Sequence, residues 1–397
     1  MIFVKEGMCV LLFSLLTFAG ASATVAPETS RDREEALQWA FRFASTIAIE
    51  PHIVDRSRTQ YEILERFLKY GFVEDVKERV HRVGNWRKAL IFTDVAEYWA
   101  RKGESAKALH WLKKARKARD RIEGFQASWQ KERVVGRVSL VEELLAERGH
   151  PVKRDESGPS LAARLERLSK VEAPGAYDAN MEELQVVAQS KHWEVQQAAA
   201  ETYIRILRNL GDRATSQQVA EIREAVSRLC KKLPGLVGFR MRCALCRAVF
   251  ESGQKDVARD VLNEVADYFE GRDLNPRFDV ASLVRFADIC GGAAGQPARA
   301  ESALQRAAEA LKNNELQRMD HIDATIALAG GYATFGKREV ARLHFHKALQ
   351  LAAGQINPRP RAMAFARICT EIADSGYAIP DDMRMLLEQE LTKLRTG

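Results

Sequence analysis

The sequence predicts an all-α protein, a superhelical solenoid of antiparallel helix pairs. Three observations predict it. Turn glycines Gly211, Gly253, Gly295, Gly336 and Gly376 recur at steps of 42, 42, 41 and 40 residues. Equal steps of that length mark stacked supersecondary units. Apolar residues beside them follow the i, i+3, i+4, i+7 spacing of one helix face. Ala, Leu, Arg and Glu dominate the chain, and no run of alternating β-branched residues bounded by turns calls for a strand.

The N-terminus reads as a targeting segment. Lys5 supplies a positive flank, Val10 to Ala19 a short apolar run and Ala21-Ser22-Ala23 a small-residue cleavage site. Residues 1–23 are therefore expected to be a secretory signal peptide. The apolar run is about half the ~20 residues needed to span a bilayer, and no later stretch is long enough either. The expected mature chain is soluble and exported, periplasmic or secreted, in a bacterium. Glu6 offsets Lys5, so an uncleaved N-terminal anchor is the alternative.

Residues 24–150 are expected to form an N-terminal helical-repeat array. A first helix runs from about 33 to 49, with Ala36, Trp39, Ala40, Phe43 and Ile47 inward and Pro51 as its stop. Helices near 58–70 and 72–83 follow, divided by Gly71. The clearest pair is Phe92 to Ala115. Phe92, Val95, Ala96 and Trp99 share one face, Gly103 closes the helix, and Ala108, Leu112 and Ala115 form the inner side of its partner. A further helix carries Val134, Val138, Val141 and Leu145. Residues 151–175 then read as a linker with a short helix, because PVKRDESGPS is polar with Pro and Gly breaks. Residues 176–397 are expected to form a C-terminal array, closed by a charged capping helix from Asp381 to Leu394 that would shield the last apolar face.

The Phe92–Ala115 pattern resembles the tetratricopeptide repeat (TPR). Its best downstream copy is Thr325-x-x-Leu328-Ala329-x-x-Tyr332, Gly336, Ala341-x-x-x-Phe345. Cys246 and Cys369 fill the slot that Ala96 and Ala329 fill elsewhere. The family's unit has about 34 residues, so a period of about 40–42 departs from it. The surplus lies between repeats, where Pro recurs. His192 to Leu207 also resembles a helix of HEAT repeats, which are the alternative. The resemblance implies an extended surface that binds other proteins.

Net charge is +7, and residues 101–121 hold nine Lys or Arg against two acids, an excess equal to the whole. Lys113, Lys114, Arg116, Lys117, Arg119 and Arg121 are thus a candidate basic surface, set against the reading of a solvated helix face. Beyond Cys9 the chain carries Cys230, Cys243, Cys246, Cys290 and Cys369, an odd number. Buried structural thiols explain them best; a disulfide such as Cys230 with Cys243, or a metal, stays open. No catalytic, cofactor or metal motif is found. His344 and His346 are spaced to point apart on a helix, and the Gly291–Gly295 and Gly330–Gly331 stretches read as packing and helix ends.

One constellation suggests binding. Arg205 and Arg247 stand one 42-residue period apart, with Arg208 and Arg285 in nearby frames. Stacked repeats would set them in a row able to fork onto carboxylates of a peptide. The plainer expectation is that Glu201, at i−4, pairs with Arg205. The expected function is an exported non-enzymatic protein-binding or scaffold protein, its partner a protein or peptide with acidic groups. No cofactor is expected, and export speaks against nucleic acid. The alternatives are a helical-toroid envelope enzyme acting on polysaccharide through paired carboxylates, or a basic module docking on anionic membrane or polymer.

Overall fold

A computed structural model describes residues 27–124, 127–150, 161–171, 176–270, 273–312 and 316–396. The expected signal peptide and most of the expected linker lie outside them. Among the described residues the chain is helical and without strands. In order, the helices are α1 (Pro27–Ala44), α2 (Ile53–Lys69), α3 (Val73–Arg79), α4 (Arg87–Arg101), α5 (Ser105–Asp120) and α6 (Ala127–Ala146). Next come α7 (Leu161–Leu168), α8 (Ala176–Ala188), α9 (Trp193–Leu210), α10 (Ser216–Cys230), α11 (Gly235–Glu251), α12 (Lys255–Asp267), α13 (Pro276–Asp288) and α14 (Pro297–Lys312). The last are α15 (Arg318–Thr334), α16 (Arg338–Ala353), α17 (Pro358–Ser375) and α18 (Asp381–Thr396). No helix among the described residues is long and apolar enough to cross a membrane.

The helix pairs form for local reasons. Gly103, Gly253, Gly295, Gly336 and Gly376, each between the two helices of a pair, have φ between +63° and +82°, and Gly211 has φ +56°. That conformation costs a glycine least. Starts are capped as well. Thr215 and Gln218 form a reciprocal capping box before α10, and Asn275 and Asn357 cap α13 and α17 ahead of a proline. The first helix ends earlier than Pro51 implies, at Ala44. The Ser45 and Thr46 hydroxyls turn back to the carbonyls of Phe41 and Phe43 at 2.7 and 2.8 Å and stop it there.

Two compact units result. Residues 165–312 form a central unit, α8 to α14 with most of α7. Here α9, α11 and α13 each pack against a following helix, α10, α12 and α14, and against each other in order. The core is small and dense: Ala199, Ala200, Cys246, Ala248, Ala258, Ala287 and Ala300 are fully buried beside Ile204, Leu262 and Val265. At Gly238 an added Cβ would stand 2.7 Å from the Cys230 carbonyl oxygen, so α11 reaches α10 closely only because that residue is glycine.

The described residues among 27–164 and 316–396 form the terminal unit, in which both parts of the chain share one core. The grouping places α15–α18 with α1–α6 rather than with α8–α14. The joint is α1 against α17. Phe43 stacks on Phe365 with ring centroids 4.8 Å apart, and both are fully buried. Asp374 of α17 accepts from Arg66 of α2 at 2.8 Å and from Tyr70, just after that helix, at 2.6 Å, with Lys69 at 3.7 Å. Burial alone would raise its pKa; Arg66 and Lys69 outweigh that and hold it below the ordinary carboxylate value. Arg359 reaches Asp55 at 2.8 Å, and Arg384 of α18 reaches Glu35 at 2.8 Å. So α18, expected as a terminal cap, is tied to α1.

Candidate functional site

The arginines expected in a row are largely engaged within the protein. Arg205 donates to Glu166 at 2.7 Å, not to Glu201, which accepts from Gln197 at 2.9 Å. Glu166 and Glu201 are both buried, at 5% and 1% exposed, so packing geometry and not burial decides which acid Arg205 meets. Arg208 lies 3.3 Å from Glu251, and Arg247 pairs with Asp288. Arg285 is exposed and has no ion pair among the described residues.

These pairs belong to a ladder. Arg137–Asp94, Arg205–Glu166, Arg223–Glu264, Arg247–Asp288, Arg342–Asp382 and Arg367–Asp323 join residues 39 to 44 apart in sequence. Each rung ties a helix to its counterpart one repeat away: α4 to α6, α7 to α9, α10 to α12, α11 to α13, α15 to α17 and α16 to α18. The separation matches the turn-glycine step, so one period sets both backbone and ion pairing.

The basic helix α5 is built differently. Ala108, Leu112 and Ala115 are buried, while Lys113, Lys114, Lys117 and Arg121 are exposed. Lys114 lies 4.0 Å from the centre of the Trp111 ring. Arg116 turns inward to Glu142 at 2.5 Å, and Arg119 contacts Asp120 at 2.9 Å. The expected basic surface thus splits into outward cations and two engaged arginines.

All five described cysteines are free and buried. Burial pushes the thiols up, to about 11 at Cys230 and Cys290 and about 12 at Cys246, so their thiolates are disfavoured. Cys246 and Cys369 are fully buried in the small-residue slot. His344 stacks on Tyr332 and His346 bonds Asp382 at 2.8 Å, two different directions.

The densest polar cluster joins α2, α4 and α6, and none of its residues stood out in the sequence. Arg137 donates to Asp94 at 2.6 Å and lies 2.9 Å from Glu97, which also accepts from Arg101 at 2.9 Å. Tyr61 Oη lies 3.0 Å from Asp94 Oδ2 and 2.9 Å from Glu65 Oε1. A phenol has one hydrogen and can donate to only one of them. The other carboxyl must bring its own proton. Burial raises Asp94 above the ordinary carboxylate value even against Arg137; of the two carboxyls it alone bonds an arginine among the described residues, so the proton is assigned to Glu65. Burial and the Asp94 charge push Glu65 up to about 8. The chain then runs from the Glu65 carboxyl through the Tyr61 hydroxyl to the Asp94 carboxylate. The 43-residue step from Asp94 to Arg137 was the signal that could have revealed it.

The sign of the pH effect follows. An unfolded Glu65 loses its proton near the ordinary carboxylate value of 4.5, whereas the folded one keeps it to about 8. Unfolding free energy should therefore fall as pH rises through that window. Glu201, buried and raised to about 7, pushes the same way in the central unit. Glu65→Gln, whose amide can donate to Tyr61, should remove the Glu65 share of the slope. Urea titrations at about pH 5, 6.5 and 8 measure the difference; identical slopes in both proteins would mean that Glu65 titrates normally.

A groove marks the central unit. Helices α8 and α10 both pack on α9, and between them lie two adjoining hollows of about 270 and 430 Å³ that share Gln185, Ala225 and Arg228. Tyr203, Ala188 and Leu229 line one end beside Arg228 and Lys232. Met181 lines the other beside Asp178, Glu182, Glu221 and Glu224. Tyr177 donates to Glu221 at 2.9 Å, and Arg228 bonds Glu224 at 2.9 Å on the exposed rim. The groove therefore has apolar floor, a basic end and an acidic end.

Fold and site together define an all-α protein of neighbouring helix pairs in the manner of helical repeats. No family model, curated protein or solved structure matches the chain.

Proposed function

We propose that the chain is an exported, non-enzymatic binding or scaffold protein, a solenoid of TPR-like helix pairs with a lengthened unit, or of HEAT-like pairs. The observation that carries the reading is the α8–α10 groove. It combines an apolar floor with opposite charges at its ends, the combination that fixes both burial and direction for a peptide or helix laid along it. The partner has acidic groups over Arg228 and Lys232 and basic groups over Glu182 and Glu224. The repeat ladder supports a rigid surface, since paired charges between neighbours resist sliding.

The test is a photo-crosslinker in place of Gln185 in the living source cell. A single protein adduct is expected, and the double variant Arg228→Glu/Lys232→Glu should cut its yield by about tenfold, the loss of one to two charge-assisted contacts. Adducts of equal yield in that variant would remove the groove from the reading. N-terminal sequencing of the envelope fraction tests export; a chain beginning at Thr24 is the expected result.

One feature favours an acid–base enzyme as a second reading. The carboxyls of Glu65 and Asp94 hold different proton loads, as the partners in carboxylate catalysis do. Both Asp94 and Glu97 are bound by arginine, which fits a structural role better. Docking of α5 on an anionic surface would instead show as binding that collapses with salt.

A further inference from the structure

Exposed large apolar side chains gather at one edge of the terminal unit. Ile49 lies in the α1–α2 connection, Ile53 and Val54 in the first turn of α2, and Ile356 in the α16–α17 connection. Ile356 is 89% exposed, and Ile49 and Val54 are more than half exposed. Polar contacts bring these segments together. Asp55, beside Val54, pairs at 2.8 Å with Arg359, three residues beyond Ile356. Arg361 donates to the Gln355 and Ile356 carbonyls at 2.7 and 3.3 Å and holds that connection. Arg56 donates to the Ser45 and Ile47 carbonyls at 2.8 and 2.7 Å and holds the other. The turn before α4 adjoins them: a Cβ at Gly84 would stand 3.0 Å from Ile53 Cδ1 and Ser57 Oγ. The starts of α2, α4 and α17 thus share the edge.

The charge of that edge selects its partner. Residues 50–58, 81–88 and 356–361 lie along it and carry seven Lys or Arg against Glu50 and Asp55. Asp55 is shared by Arg58 and Arg359, at 3.2 and 2.8 Å, so it offsets only one of them. His81 and Arg82 are exposed. An extended anionic surface responds to this summed charge and needs no guanidinium left free. The apolar side chains stand on connections and a first helical turn, as prongs. A folded partner needs a socket for each prong, whereas a fluid headgroup layer receives them without one. Apolar tips among cations are the composition of an interfacial anchor.

We propose that this edge docks on an anionic lipid surface, with Ile49, Val54 and Ile356 entering the headgroup layer and the surrounding cations facing the lipid phosphates. The surface lies in the terminal unit and does not depend on the α8–α10 groove.

Flotation of the full chain with vesicles tests it, using phosphatidylcholine alone or mixed with phosphatidylglycerol. Binding should require the anionic lipid and weaken with salt. The double variant Val54→Asp/Ile356→Asp should lower the partition onto anionic vesicles by at least about tenfold, through lost apolar burial and added negative charge. Both residues are exposed, so the variant should keep the Tm of the wild type. Arg82→Glu should lower the same partition by about fivefold and leave neutral vesicles unaffected. A solvatochromic amino acid in place of Ile356 reads the edge itself, and its emission should shift to the blue on anionic vesicles. The same probe in place of Val186, in the central unit, should not shift. The proposal is overturned if the Val54→Asp/Ile356→Asp variant binds as the wild type does, or if both probes shift alike. It is overturned equally if soluble polyphosphate shifts the Ile356 probe as vesicles do, or if sedimentation shows a dimer that the double variant dissociates, since a second copy would then cover the edge.

Discussion

Arg137→Met is expected to destabilise the terminal unit by about 3–5 kcal/mol, the usual result of removing one partner from a buried ion pair. Arg137 is the only cation bonded to Asp94 among the described residues, and it shares Glu97 with Arg101. Asp94 is 7% exposed and Glu97 8%. Burial lowers the pKa of Arg137, but Glu97 and Asp94 more than reverse that and hold it well above its ordinary value. Methionine keeps the aliphatic stem, so the loss reports charge rather than volume. The triple variant Arg137→Met/Asp94→Asn/Glu97→Gln should recover most of it, because the cost lies in stranded carboxylates and not in a missing attraction. Denaturant titration gives the number, and hydrogen exchange should place the loosening in α4 and α6. A loss below about 1 kcal/mol would identify the pair as solvent-screened and ordinary.

Phe365→Ala should cost about 3–5 kcal/mol as well, through lost burial and the cavity left behind. Phe365 and Phe43 are both fully buried and stacked, and they come from α17 and α1. Because that contact joins the two ends of the chain, the effect should appear on both. Hydrogen exchange should show α1 and α17 losing protection together. Loosening of α17 with α1 unchanged would mean that α1 is held by α2 alone and that the joint contributes little. The ion pairs around Asp374 are only partly buried, at 24% exposure for Asp374, and could not compensate.

The two variants probe features of different legibility. Helix pairs could be read because turn glycines and apolar spacing are local signals, felt within one or two turns. Five glycines at near-equal steps became five positive-φ turns, and Cys246 and Cys369 are fully buried in the small-residue slot. The arginine row was half legible. The step from Arg205 to Arg247 identified neighbouring repeats, but the acids that occupy those arginines stand one period away on other helices. Searching for Asp or Glu at the repeat distance from each Arg would have found Asp94–Arg137, Glu166–Arg205 and Arg247–Asp288. The Glu65–Tyr61–Asp94 chain would still have escaped, because a shared proton follows from three side chains meeting out of water.

By itself, then, the sequence determined the helices, their turns and the basic face of α5, since each rests on residues within about four positions of one another, and their period, since the turn glycines recur at 40 to 42 residues. Only the tertiary structure decided which helices share a core. Arg66 with Asp374, Asp55 with Arg359 and Glu35 with Arg384 meet across 304 to 349 residues, a separation that leaves no periodic trace. It also decided which charges are spent and which remain. A guanidinium's role depends on whether packing brings a carboxylate to it, as for Arg137, or an aromatic ring, as for Arg87 over Trp86.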